Sequence, residues 1–166
     1  MAKAGAEGSR KRTVKEREKY IMSLVNQMTL DEKIGMIHGA GLFRTAGVPR
    51  LGIPELHMSD GPMGVRQEFV DNDWKNVYDS DDTVTYLPSN SAIAATWNPK
   101  RAKECGEVLG AEARGRGKDV ILAPGINIKR TQLCGRNFEY MSEDPYLVSE
   151  MTVPLIKGIQ KADVAA

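Results

Sequence analysis

The run Met58-Ser59-Asp60-Gly61-Pro62-Met63-Gly64-Val65-Arg66 constrains this chain more than any other stretch. An apolar segment, Leu51 to Met58, leads straight into a carboxylate, a Gly-Pro step and a second glycine. A short buried strand ending on a charged residue and a sharp turn is how α/β proteins hold a ligand-facing group on rigid backbone. Pro62 fixes its own φ, while Gly61 and Gly64 admit backbone that a side chain would forbid. Asp60 is therefore expected to be held on a rigid strand end. A capping aspartate in an ordinary turn satisfies the same four residues, so the rest of the chain has to decide.

On either side of that turn the chain alternates between helical and extended patterns. Val14, Tyr20, Ile21, Leu24, Val25 and Met28 approximate helical spacing from Thr13 to Met28. Thr29 with Glu32 forms a capping box that opens a second short helix through Ile34 and Ile37. Gly39, Gly41, Gly47 and Pro49 break the pattern before the strand that leads to Asp60. Residues 71 to 82 read as a solvated acidic loop without calcium-loop spacing, in which Trp74 is open to either packing or ligand stacking. Leu87-Pro88-Ser89-Asn90 with Ala92, Ala94 and Ala95 suits a tight turn and a short helix. Asn98-Pro99 is an N-cap followed by proline at the first helical position, and it opens a helix to about Arg116 with Ala102, Cys105, Leu109 and Ala113 on one face. Gly115 and Gly117 end it. Val120 to Ala123 makes a second strand, bounded by Pro124-Gly125. A loop of about 20 residues follows, a length usually reserved for function in a compact domain. Asp144-Pro145 then starts a helix carrying Leu147, Val148, Met151, Leu155, Ile156 and Ile159, with a kink expected at Pro154. Ala162 to Ala166 looks like the opening of a third strand.

Composition excludes several functional classes. With 41% hydrophobic and 27% charged residues in 166, the chain can build a globular core. A formal charge of +1 gives no pull toward nucleic acid or an anionic membrane, and Arg10-Lys11-Arg12 belongs to an N-terminal tail, residues 1–12, expected to be mobile. No apolar run approaches the ~20 residues a membrane span needs. Basic residues near the start have no apolar segment behind them, so a cytoplasmic protein is expected. Cys105 and Cys134 lack metal-ligand spacing, His38 and His57 form no local zinc motif, and no cofactor or metal is expected. A Rossmann fingerprint and a phosphate loop are both missing, and Gly115-Arg116-Gly117-Lys118 precedes a strand where a phosphate loop would follow one.

Strand, loop, helix, strand, loop, helix, strand is a parallel α/β pattern. Asp60 follows the first strand, and Arg130, Arg136 and Glu139 lie in the loop after the second. All fall at the strands' carboxyl ends, the functional face of a barrel or an open parallel sheet.

Three segments carry more than pattern: Asp60-Gly61-Pro62 with Gly64-Val65-Arg66; Leu122-Ala123-Pro124-Gly125-Ile126-Asn127-Ile128-Lys129-Arg130; and Gly135-Arg136-Asn137-Phe138-Glu139-Tyr140 running through Ser142-Glu143-Asp144-Pro145-Tyr146-Leu147. With Ala94 to Pro99 and Glu112-Ala113-Arg114 they resemble glycoside hydrolase family three, in the N-terminal barrel domain of bacterial β-glucosidases, over roughly residues 20 to 166. The resemblance implies an α/β fold that is part of a (β/α)8 TIM-type barrel, about its first three βα units, truncated, with residues 13–166 as the N-terminal portion of that domain. It implies a retaining, exo-acting β-glycosidase acting on β-linked glucosides or oligosaccharides through two carboxylates about 5 Å apart. Asp60 and Arg136 would bind sugar hydroxyls. Arg66 and Arg130 would line the same mouth or serve as structural ion-pair members. Glu139 would orient an arginine, and Trp97 and Phe138 would be core. The family's Lys-His clamp, nucleophilic aspartate and acid/base are not among these residues. No catalytic residue is therefore expected in the chain, the remainder of the barrel and a C-terminal domain are expected partners, and the piece alone is expected to be inactive, with an unpaired strand edge. A non-catalytic carbohydrate-binding or regulatory module using the same pocket is the alternative.

Overall fold

The computed structural model describes residues 12–70, 73–75, 77 and 83–166. The expected tail up to Lys11 and most of the acidic loop lie outside the described residues. Helix α1, Val14–Gln27, and helix α2, Leu30–Met36, form where the periodicity predicts them. Each starts on a reciprocal capping box, Thr13 with Glu16 and Thr29 with Glu32, which satisfies two amide groups that a helix start leaves open. Neither helix buries a residue. Their apolar side chains, Val14, Ile21, Met22, Leu30 and Ile37 among them, are exposed.

The glycine-rich break is not plain loop. Strands β1, Gly39–Gly41, and β2, Arg44–Thr45, pair antiparallel. Strands of two or three residues show too little alternation for a period of two to register. The apolar run that follows is also used differently from the expectation. Pro49–Leu51 makes a 3-10 turn, and the strand proper, β3, is Met58–Asp60. Asp60 is thus the last strand residue, on the strand end where the run places it. Residues 53–58 instead bridge back to residues 43–48, through Val48 with Ile53, Arg44 with His57, and a hydrogen bond from Met58 N to Phe43 O of 2.8 Å. The outer edge of β3 is therefore covered at its start.

Strand β4, Val120–Leu122, pairs parallel to β3 with Met58 opposite Val120, Ser59 opposite Ile121 and Asp60 opposite Leu122. Ala165 adds a parallel bridge to Val120, so the third extended segment lies where the pattern places it. Three helices join these strands: α3, Asn90–Ala95; α4, Pro99–Gly115; and α5, Pro145–Gln160, which continues through Pro154. The Asn98 and Asp144 side chains cap α4 and α5 by accepting from amides of the first turn. Ser59 and Ile121 point to the helix side, and Ile121 joins Leu109, Ala113, Met151, Leu155, Ile159 and Val164 in one buried cluster.

Helices α4 and α5 run in contact. Gly106 lies against Leu155, and Gly110 meets Ile159, four residues on in both helices, so the two helices are parallel. A Cβ at Gly106 would stand 2.1 Å from Leu155 O, and one at Gly158 would stand 2.4 Å from Lys103 O. The close approach exists because neither side presents a side chain.

Two expected core residues are not core. Trp97 is 70% exposed and Phe138 is 54% exposed. Trp97 sits at φ 52 in the turn between α3 and α4, which throws its ring outward. Phe138 is the middle residue of the 3-10 turn Asn137–Glu139, whose inward position is taken by Glu139.

Candidate functional site

The turn after β3 is built to hold Asp60 still. Ser59, buried beneath it, donates from Oγ to Asp60 O at 3.2 Å and accepts from Arg66 N at 3.3 Å. Arg66 N also donates to Asp60 O at 3.3 Å, so the turn closes on itself. The Gly61–Pro62 and Ala123–Pro124 peptide bonds are both cis. Gly64 has φ +144, and a Cβ there would lie 2.4 Å from Thr85 O. The segment leading to α3 is thereby seated directly on the turn, with Leu87 N donating to Met63 O at 2.8 Å.

Arg66 faces the same carboxylate. Its Nε is 3.6 Å from Asp60 Oδ2, and its side chain is only 17% exposed. The guanidinium lies between two rings, 3.8 Å from the centre of Phe43 and 4.3 Å from that of Phe69. Stacking of this kind stabilises a desolvated cation. Burial lowers the Arg66 pKa from its ordinary value, and Asp60 and Glu68 oppose that shift. Of the two roles open to Arg66, this geometry supplies the ion pair. Trp74 meets the same rings edge-on, 6.0 Å from Phe43 and 5.4 Å from Phe69, while keeping an exposed face.

The loop after β4 carries the second group. Its start abuts the Asp60 turn, since a Cβ on Gly61 would stand 2.7 Å from Ala123 Cβ. At its far end the Arg136 Nε donates to Glu139 Oε1. Glu139 is nearly buried, with 11% of its side chain exposed, whereas Arg136 is 72% exposed. The hydrogen bond to Glu139 raises the Arg136 pKa. The guanidinium is thus pinned at one nitrogen and open at the others. Such a fork can donate in parallel to two adjacent oxygens.

Arg130 is exposed and lines a recess of about 520 Å³ with Lys129, Thr131, Asn137, Met141 and Glu143. Arg66 lines a different recess of about 300 Å³ with Phe43, His57, Glu68, Phe69 and Lys118. The two recesses share no lining residue. Sequence reasoning missed the Phe43–Arg66–Phe69 stack, because the rings flank the arginine from separate turns. It also missed Asn90, Ser91 and Lys129, whose polar atoms fasten the loop from beneath. The only local signal was a cluster of small polar residues at a helix start. Among the described residues no three His, Cys, Asp or Glu side chains gather as metal ligands would, and no helix is long and apolar enough to cross a membrane.

Comparison with known proteins gives this arrangement a setting. Residues 55–166 match the family described as glycosyl hydrolase family 3 N terminal domain. A beta-glucosidase of Bacteroides ovatus is 52% identical over 149 residues, covering 90% of this chain and 20% of that protein. A thermostable beta-glucosidase B of Acetivibrio thermocellus is 42% identical over 146 residues, covering 88% of this chain and 19% of its own length. The solved structure of beta-glucosidase 3B from Thermotoga neapolitana, in complex with alpha-D-glucose, superposes with a TM-score of 0.76 at 38% identity, over 87% of this chain and 22% of that one. The chain thus spans about a fifth of the length of the curated relatives it matches. Strand-end turn, braced arginine and family match agree: the chain belongs to glycoside hydrolase family three and corresponds to part of its N-terminal domain.

Proposed function

We propose that this chain supplies the sugar-holding half of a retaining, exo-acting β-glycosidase site, and that its residues 13–166 form the first three βα units of a (β/α)8 barrel. Asp60 accepts hydrogen bonds from the hydroxyls of the terminal sugar, and the open fork of Arg136 donates to neighbouring hydroxyls. The observation that carries this reading is the seating of Asp60 on the last residue of β3, in register with β4 and beside the loop that presents Arg136. A carboxylate on rigid backbone and a guanidinium pinned at one nitrogen are complementary to vicinal diols, which both accept and donate. Arg66 serves chiefly to hold Asp60, and Arg130 borders the approach.

On this reading the nucleophile and the acid/base come from outside these 166 residues, and the chain by itself binds sugar without hydrolysing glycosides. The apolar side chains exposed at the end of β4 and in the loop after it, Leu122, Ile126 and Phe138, fit a surface completed by the rest of the barrel. The test is a D-glucose titration of the 166-residue chain, wild type against Asp60→Ala, alongside an aryl β-glucoside assay. The expected result is glucose binding that the substitution abolishes in a protein whose helices persist by circular dichroism, with no release of the aryl group; some loss of melting temperature is expected, because Arg66 loses its partner. Hydrolysis by the chain that disappears in Asp60→Ala would overturn the division of labour, and glucose binding indifferent to Asp60 would overturn the site.

A further inference from the structure

We infer that Asn90 is a positioning residue for Arg136: its buried carboxamide ties the two ends of the loop after β4 together and so sets the carboxylate that aims the arginine. The inference rests on the sugar-binding reading of Arg136. Asn90 is fully buried at the start of α3. Its Nδ2 donates to Glu139 O at 2.8 Å and to Gly125 O at 3.4 Å. Both neighbours are carbonyl oxygens, so of the two ends of the carboxamide only the nitrogen can face them, and a carboxylate in its place would repel both.

The two ends of the loop touch at this point. A Cβ on Gly125 would lie 2.4 Å from Glu139 O, which leaves the crossing no slack. Ser91 extends the fastening by donating to Tyr140 O at 2.8 Å, and Lys129 Nζ donates to Ser91 Oγ at 2.7 Å. With its carbonyl held and its side chain nearly buried, Glu139 presents its carboxylate in one place, and Arg136 Nε comes to it. Release of the Asn90 clamp therefore reaches Arg136 through Glu139, without any contact between Asn90 and sugar.

The experiment uses the full 166-residue chain labelled with ¹⁵N, with the Arg136 Nε–Hε resonance assigned by its loss in Arg136→Ala. In the wild type the hydrogen bond to Glu139 is expected to protect that proton from exchange with water. Asn90→Ala and the isosteric Asn90→Asp are both expected to speed its exchange at least about tenfold and to weaken D-glucose binding about tenfold, the size of one hydrogen bond to a charged group. The amide resonances of α4 and α5 are expected to stay in place. Unchanged protection of the Nε proton in either folded variant overturns the inference. So does loss of the α4 and α5 resonances together with it, because Asn90 would then serve the whole core. If protection falls as expected but Arg136→Ala leaves glucose affinity untouched, the clamp stands and the sugar-binding reading fails.

Discussion

Replacing Gly106 by alanine puts the α4–α5 contact to a quantitative test. The new methyl carbon would stand 2.1 Å from Leu155 O, 2.9 Å from Leu155 C and 3.2 Å from Gly158 Cα. All three are main-chain atoms, so no side chain can rotate out of the way. The helices have to separate by about 1 Å to restore ordinary carbon contacts, opening gaps around Leu109, Leu155 and Ile159, which are at most 3% exposed. Overpacking of this kind costs up to about 3 kcal/mol. Alanine returns about 1 kcal/mol through its helix propensity, which leaves a net loss of about 2 kcal/mol. For a chain of this size that lowers the melting temperature by about 4–8 °C. The assay is thermal unfolding followed by circular dichroism, with Gly115→Ala as the internal control. Gly115 sits in the same helix with nothing within 4 Å of its would-be Cβ, so the same substitution should raise stability by about 0.5 kcal/mol. Opposite signs at the two positions support the contact. A Gly106→Ala protein that melts with or above the wild type refutes it.

Two further outcomes follow from caps and charges. Asp144→Ala removes the acceptor for Tyr146 N and Leu147 N and should cost about 1 kcal/mol by denaturant midpoint, with Asp144→Ser recovering most of it. Glu32 is held at a pKa of about 2, first by its hydrogen bond from Arg50 and then by the Thr29 amide. Its folded pKa lies below the unfolded one, so its contribution is complete above about pH 4.5 and is lost as pH falls toward about 2. A carboxyl titration followed by NMR should show that midpoint, and Arg50→Ala should move it upward. Because the pair is exposed, added salt should shrink the difference.

Much of the site was legible because its parts are local. Asp-Gly-Pro after an apolar run marks a strand end whatever surrounds it, and Arg136 with Glu139 lies within one turn of chain. The residues that brace them were not legible. Asn90 donates to a carbonyl that arrives from the far end of another loop, and Phe43 and Phe69 close on Arg66 from both sides of β3. Such partners share no sequence spacing with what they hold. The same limit explains Trp97 and Phe138: large aromatic residues look like core, yet they sit in two tight turns and are exposed.

The amino-acid sequence by itself determined the helices with their caps, the alternation of strand and helix, and the family, because each is encoded within a few turns of chain or in a contiguous motif. Tertiary structure alone decided which apolar faces are covered and which cation pairs with Asp60. It also decided how closely α4 and α5 approach, and that Arg66 and Arg130 occupy separate recesses. Those outcomes depend on where segments distant along the chain meet, and burial and pairing are properties of that meeting. Asp60 is the case in point: its place on a strand end is written in the residues around it, while the stacked arginine that holds it comes from the fold.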